Sequence, residues 1–260
     1  MSAYDRVLAA RAKNRPTAVD FIKGVFDDFI ELHGDRRYSD DKAVISGIAR
    51  LNNMPVTVVA IEKGHDTKDK IMRNFGSVNP EGYRKALRQM KLAEKFNRPV
   101  VSFVDTSGAY CGIGAEERGQ GLAIAENLMQ MMTLKVPIIT VLIGEGGSGG
   151  ALALAVADEV WMMENSVYSV ISPEGCASIL WKDAAKVKEA AECLKLTAED
   201  LYKLNIIEKI IDENGKDFIN IYQDLKIRLW SVLNKNKQLE VSDLVKKRYD
   251  RFRKFGGDLI

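Results

Sequence analysis

The sequence predicts an α/β fold built on a parallel sheet covered on both faces. Three observations carry that expectation. Strand-like runs alternate with helical ones along most of the chain, the pattern of right-handed βαβ units. The runs at residues 99–104 and 136–143 are almost wholly apolar rather than alternating, as in strands buried on both sides. Both runs end in glycine-bearing loops that lead into helices, and parallel sheets bind ligands at that edge.

The elements follow in chain order. Residues 17–32 carry Val19, Ile22, Phe26, Phe29 and Ile30 at helical spacing, which predicts a helix. Residues 43–50 and 55–61 read as two strands joined by a turn at Asn52-Asn53. A charged loop occupies 62–79. Asn79-Pro80-Glu81 is a helix start, with proline in the first turn, and the helix is expected to run to about Phe96. The strand at 99–104 ends in Asp105-Thr106-Ser107-Gly108, and a loop over 108–114 precedes a helix expected at about 116–132. The strand at 136–143 closes on the glycine run 144–150. Residues 151–157 predict a short buried helix, 160–163 a strand, and the rest is mainly helical apart from a strand-like 206–211. No composition shift marks a boundary. The expectation is one domain over 1–260, with a helical N-terminal extension (about 1–33) and a helical C-terminal one (about 215–260).

Composition narrows the function. The 260 residues are 46% hydrophobic and 28% charged, with a net charge of +2. That length fills a full α/β core, and the balanced charge gives no ground for nucleic-acid or membrane-surface binding. Cys111, Cys176 and Cys193 form neither a disulfide framework nor a C-x-x-C zinc pair, so no metal is expected in this chain. The absence of a signal core or a membrane-length apolar run points to the cytoplasm.

The glycine run is the most informative stretch. Gly144-Glu145-Gly146-Gly147-Ser148-Gly149-Gly150 lets a ligand approach the main chain and opens a helix whose first N–H groups lack internal partners. Such amides hold an anion or a developing oxyanion. Close packing of helix on sheet also asks for glycine. Three functional readings compete. Gly146-Gly147-Ser148-Gly149-Gly150 spells the G-x-S-x-G of serine hydrolases, but His33 and His65 both lie upstream of Ser148. Gly144-x-Gly146-x-x-Gly149 spells a dinucleotide fingerprint with Glu164 about 20 residues on, but the helix after it is short. The third reading pairs the run with the loop at 105–114. In a parallel sheet both emerge at one edge, and together they can aim main-chain N–H groups at one carbonyl oxygen without a side-chain nucleophile, each donor worth about 3 kcal/mol of barrier.

Several strings then resemble one family. Asp105 to Gly108, Gly112-Ile113-Gly114-Ala115-Glu116-Glu117-Arg118-Gly119-Gln120, the run 144–150, Ser169-Val170-Ile171-Ser172-Pro173-Glu174-Gly175-Cys176-Ala177, Arg73-Asn74-Phe75-Gly76 and Pro80-Glu81-Gly82-Tyr83-Arg84-Lys85-Ala86 together resemble the alpha subunits of acetyl-CoA carboxylase carboxyltransferase. The likeness runs continuously over about 17–211. It implies a crotonase/Clp-like fold of repeated ββα superhelical units with flanking helices. It implies transfer of a carboxyl group from carboxybiotin, held on a biotin carboxyl carrier protein, to acetyl-CoA, giving malonyl-CoA for fatty acid synthesis. It implies a zinc-containing beta subunit as partner, in an alpha2beta2 heterotetramer, that holds most of the acetyl-CoA site. The chain departs from the family at Ser107 and Cys111, where proline is usual, and at Gly76-Ser77-Val78, where Gly-Met-Pro is usual. Proline fixes φ, so the first loop is expected to have a different shape.

On this resemblance the N–H groups of Gly149 and Gly150 are the first candidates to hold the ureido oxygen of biotin, with Gly147 and Ser148 next. Gly108, Tyr110, Gly112 and Ile113 are candidates for the opposite wall. Lys63 and Arg73, in a loop with His65, Lys68 and Lys70, are candidates to pair with the carboxylate of carboxybiotin or a CoA phosphate, or else form a solvated basic loop. Two alternatives stay open: a related biotin-dependent decarboxylase or transcarboxylase subunit, and a non-catalytic assembly or nucleic-acid-binding protein acting through the basic run 246–254.

Overall fold

The computed structural model describes residues 1–213, 215 and 217–257. The chain opens with α1 (Ala3–Ala10) and α2 (Ala18–Val25), then leaves helix for an edge strand, β1 (Asp27–Glu31). The helix expected over 17–32 therefore stops halfway. Phe26 is already extended (φ −112°, ψ 157°), and Ile30 and Glu31 pair with Ile48 and Gly47 of the next strand. A side chain at Gly47 would meet the Ile30 carbonyl at 2.1 Å, so glycine there admits the pairing that overrides the helical spacing.

The hairpin stands as the sequence predicts. β2 (Val44–Leu51) and β3 (Met54–Ile61) pair antiparallel, and Asn52 and Asn53 both take positive φ (47° and 64°), as a two-residue hairpin turn requires. The charged loop after β3 is more ordered than expected, holding α3 (Thr67–Met72) and a 3₁₀ turn, Asn74–Gly76. α4 (Pro80–Lys95) then crosses to β4 (Val100–Thr106), which lies parallel to β3. The next expected helix is two, α5 (Ile113–Glu117) and α6 (Gln120–Thr133), broken at Gly119 with φ 81°. β5 (Ile138–Gly147) is parallel to β4 and runs four residues past its expected end, so strand geometry continues into the glycine run. α7 (Ser148–Leu152) is shorter and earlier than the helix expected at 151–157. β6 (Glu159–Met163) follows, and β7 (Val167–Ser169), absent from the sequence reading, pairs with the tip of β5. α8 (Pro173–Leu180), α9 (Val187–Cys193) and α10 (Ala198–Lys203) lead to β8 (Lys209–Ile211), and α11 (Phe218–Asn236) and α12 (Val241–Arg253) follow it. Residues 216 and 258–260 of the expected C-terminal extension lie outside the described residues. The strand order is β1-β2-β3-β4-β5-β6-β8, antiparallel at the β1 end and parallel from β3 onward.

Two cores explain the continuous apolar strands. Successive strand residues face opposite sides of a sheet. On β5, Ile138 and Leu142 join one core beneath α4, α6 and α7, while Ile139, Val141 and Ile143 join the other beneath α2 and α11. On α11, Ile221, Leu225, Leu229 and Leu233 recur every fourth residue and are all buried. Each such leucine contributes roughly 1.5–3 kcal/mol.

The basic run 246–254 is not a free cationic face. Arg248 is fully buried, donates to the carbonyls of Met131, Leu134 and Val136 at 2.7–3.0 Å, and pairs with Asp158. Arg251 pairs with Glu208 and donates to the Ile206 carbonyl. These two cations tie α12 to the sheet, which removes them from any nucleic-acid surface.

Candidate active site

The site is built where β3, β4 and β5 finish. Parallel pairing brings Thr106 beside Gly146, so the segments after β4 and β5 leave the sheet together. They touch main chain to main chain. A side chain at Gly147 would lie 2.2 Å from the Ser107 carbonyl oxygen, and one at Gly150 would lie 2.5 Å from the Ala109 nitrogen. Only glycine allows that approach. Tyr83, fully buried on α4, donates its hydroxyl to the Gly150 carbonyl at 3.3 Å. Burial, then the charge of Asp41, pushes that phenol well above its usual range, so it remains a donor.

The start of α7 leaves amides open. Gly147 caps it without a side-chain bond. The N–H groups of Gly149 and Gly150 donate to no protein acceptor among the described residues. Five residues give α7 little dipole, so the donors are the amides themselves. Ser148 is exposed and held at φ 50°, a conformation uncommon outside glycine, asparagine and aspartate. The main chain is thus turned sharply where β5 becomes helix. In the first loop, the Ile113 N–H at the start of α5 is also without an acceptor among the described residues.

A chain of alternating charge backs these loops. The Lys63 ammonium sits 2.7 Å from both Asp105 and Glu145. Arg11, at the end of α1, bonds Glu145 at 2.7 Å and Glu174 at 2.7 Å. Asp105 also accepts from the Glu145 N–H at 2.7 Å, lying over Gly144, where a side chain would fall 2.3 Å from it. Burial opposes the Lys63 charge, but Asp105 and Glu145 outweigh it and hold the ammonium above its ordinary value. Burial likewise opposes ionisation of Glu145, but Lys63 and Arg11 hold that carboxyl below its ordinary value. Gly76, with φ 78°, closes the network from outside. A side chain there would meet Lys63 Cγ at 2.7 Å and the Asp105 carbonyl at 2.9 Å.

Two clefts open over this floor. The larger, about 230 Å³, is lined by Lys63, Phe75, Asp105, Ser107, Glu145 and Arg11, among others. The smaller, about 60 Å³, shares Ser107, Glu145 and Arg11 and adds Gly147, Ser148 and Ile171. The structure therefore brings Lys63, Gly147 and Ser148 together, with Gly108 and Gly150 in backbone contact beside them. Gly149, between Ser148 and Gly150, lines neither cleft, and Tyr110, Gly112, Ile113 and Arg73 are not brought in. The part of the first loop that meets the glycine run is Ser107 to Ala109, a few residues ahead of Gly112 and Ile113. Gly112 and Ile113 line neither cleft, and the Ile113 side chain is 79% exposed. Tyr110 is exposed and packs over Gly112. Arg73 is engaged by Asp69 at 2.7 Å and the Lys42 carbonyl at 2.8 Å, so it braces the loop. Lys63 is neutralised by its two carboxylates and is no free cation. Asp105, Glu145, Arg11, Ser107 and Phe75 were missed. The resembling strings at Arg73–Gly76, Asp105–Gly108 and 144–150 touch four of them, but nothing local marks Arg11 or the pairing.

The competing readings find no support in this geometry. His65 bonds Asp20 at 2.9 Å and His33 bonds Asp40 at 3.3 Å, so no histidine is bonded to Ser148. Glu164 pairs with Arg6. Glu62, His65 and Asp69 come close enough to share a cation, but each already has protein partners in Val19, Asp20 and Arg73.

Comparison with known proteins agrees with the resemblance. The family model for acetyl co-enzyme A carboxylase carboxyltransferase-like proteins matches residues 1–256. The acetyl-coenzyme A carboxylase carboxyl transferase subunit alpha of Ruminiclostridium cellulolyticum is 68% identical over 256 residues, covering 98% of both chains. That of Streptococcus thermophilus is 58% identical, covering 98% of this chain and all of its own. A beta/alpha protein of Natranaerobius thermophilus is 57% identical over 98% of this chain, which spans 43% of it. Among solved structures, transcarboxylase 12S superposes with a TM-score of 0.70 at 21% identity, over 85% of this chain and 42% of that one. A chain of a Pseudomonas malonate decarboxylase hetero-tetramer gives 0.66 at 16% identity, over 86% and 94%. At those identities the structures show the fold alone, which is the crotonase-like one. From its own residues, the chain belongs to the acetyl-coenzyme A carboxylase carboxyltransferase family, among the alpha subunits.

Proposed function

We propose that this subunit contributes the half of a carboxyltransferase site that holds the biotin ureido oxygen, using the N–H groups of Gly149 and Gly150. The supporting observation is their lack of an acceptor among the described residues, beside a loop contact that only glycine permits. Carboxybiotin, when bound, supplies the transferable carboxyl group and an oxygen that gains negative charge as that group leaves. Two fixed amides favour the charged state over the neutral one, which is where catalysis is gained. Gly147 and Ser148 shape the approach. The Lys63–Asp105–Glu145 network holds β3, β4 and β5 in register beneath the loops, and Lys63 acts there as a positioning residue.

We assign acceptance of the α-proton of the acyl-CoA to the biotin anion and the acyl site to a partner. The beta/alpha relative joins both subunits in one chain, which supports a beta subunit as partner. Ile113, Leu122, Val170, Ile179 and Leu180 are exposed apolar side chains, and we propose that it covers them. We further propose a biotin carboxyl carrier protein as donor, a zinc-containing beta subunit, an alpha2beta2 assembly and acetyl-CoA as acceptor. No helix among the described residues is long and apolar enough to cross a membrane. The three cysteines are free thiols, consistent with our placing the enzyme in the cytoplasm.

Gly149 is suited to the test because a side chain there meets only Ile124, at 3.8 Å. Gly149→Pro removes the N–H but also crowds the left-handed Ser148 before it, and Gly149→Ala keeps the N–H. In carboxyl transfer from malonyl-CoA to biotin by the assembled enzyme, Gly149→Pro is expected to lose about 10²–10³-fold in kcat and Gly149→Ala far less. Full activity in an assembled Gly149→Pro enzyme rules the assignment out.

A further inference from the structure

A second concave site lies away from the glycine loops. Arg84, Arg88, Lys91 and Lys95 are spaced by four, three and four residues along α4, so they line one face of that helix. Arg36 and Arg37, in the loop after β1, lie opposite. The cleft between them is about 490 Å³ and shares no lining residue with the two clefts at the strand ends.

Its acids are already engaged. Asp35 pairs with Arg84 at 2.8 Å, and Glu126 pairs with Arg37 at 3.2 Å. Arg36, Arg88, Lys91 and Lys95 are left with no carboxylate in ion-pair reach among the described residues. Two of the four are fixed in place. Arg88 donates to the carbonyls of Gly34 at 2.9 Å and His33 at 3.0 Å, and Arg36 donates to the same His33 carbonyl at 2.9 Å. The Gly34 turn (φ 75°) presents those carbonyls. Neutral acceptors orient a guanidinium without cancelling its charge. Burial, then the charge of Arg36, holds Arg88 below its usual value against the opposing charges of Asp35 and Asp40. An ordinary solvated face spreads its charges outward. Here they converge on a hollow, over the apolar side chains of Leu87 and Leu92.

We propose that this cleft binds a diphosphate-bearing ligand. Four converging cations, two of them prearranged, match the charge of two linked phosphates, and arginine donors suit phosphate oxygens. The diphosphate can belong to a free nucleotide or to coenzyme A.

The test uses the full-length chain and isothermal titration with inorganic pyrophosphate, ADP and CoA at low salt. Lys91 and Lys95 are exposed and make no ion pair among the described residues, so Lys91→Glu with Lys95→Glu is expected to leave the fold and the glycine loops intact. Saturable pyrophosphate binding is expected, weakening with salt and by at least about tenfold in the double variant. Carboxyl transfer between malonyl-CoA and biotin by the assembled variant is expected to be unchanged. Tighter binding of ADP than of pyrophosphate, lost in the double variant, upholds the site and names a nucleotide. Tighter binding of CoA, lost likewise, upholds it and names coenzyme A. No saturable binding up to roughly millimolar concentrations, or binding equally tight in the double variant, overturns the proposal.

Discussion

Lys63 lies between Asp105 and Glu145, three residues brought together from the ends of three strands. Replacing it with methionine leaves Asp105 without a cation and Glu145 with Arg11 alone. Breaking a buried pair costs about 3–5 kcal/mol, and the partial exposure of this one brings the expectation to about 2–3 kcal/mol at neutral pH. The pH dependence has a definite sign. Glu145 titrates below its ordinary 4.5 in the folded state, so its contribution is present above 4.5 and is lost as pH falls through the lowered value. Lys63 titrates above its ordinary 10.5, so its contribution is present below 10.5 and is lost only as pH rises through the raised value. Urea unfolding of the native chain and Lys63→Met is therefore expected to show a constant gap at neutral pH that narrows in acid below 4.5. A gap that does not change with acid would contradict the network. None of this was legible in the sequence. Lys63 and Glu145 are 82 positions apart, and Arg11 and Glu145 are 134 apart, so no spacing connects them. The glycine run was legible because glycine at five of seven positions is a local signal of close main-chain approach, and the contacts at Gly147 and Gly150 are of that kind.

At the scale of elements, local chemistry announced some boundaries and long-range pairing decided others. Asn52-Asn53 and Asn79-Pro80 carry their conformations in their own side chains, and both features stand where the sequence puts them. β1 and β7 are strands because a neighbour accepts them, β2 in one case and the tip of β5 in the other. Neither has a strand-like pattern of its own. α12 shows the same limit in charge. Its basic run reads as a solvated face, yet Arg248 points inward and closes three carbonyls at the turn between α6 and β5. Arg248→Met is expected to cost about 3–5 kcal/mol, because Asp158 loses its buried cation and keeps only the Ile138 N–H, and the three carbonyls lose the guanidinium donors. Urea unfolding measures that cost. Hydrogen exchange is expected to show α12 opening first. A loss under about 1 kcal/mol would mean that α12 is held by its apolar face instead.

Over the whole molecule, the fold separates strength from function. Two apolar layers and the ion pairs beneath β3–β5 hold the sheet rigid, while its C-terminal edge offers main-chain donors and few side chains able to react. That division fits a subunit that stabilises charge and leaves proton transfer to bound groups. The central claim is that the Gly149 and Gly150 amides hold the ureido oxygen of biotin. It is tested most directly by labelling the glycines of this chain with ¹⁵N, assembling it with its partner and titrating biotin. The account predicts that the amide resonances of Gly149 and Gly150 move downfield together and saturate, while those of Gly215 and Gly256, remote turns with open space around them, stay still. Saturating biotin that leaves the Gly149 and Gly150 amides unmoved would contradict it.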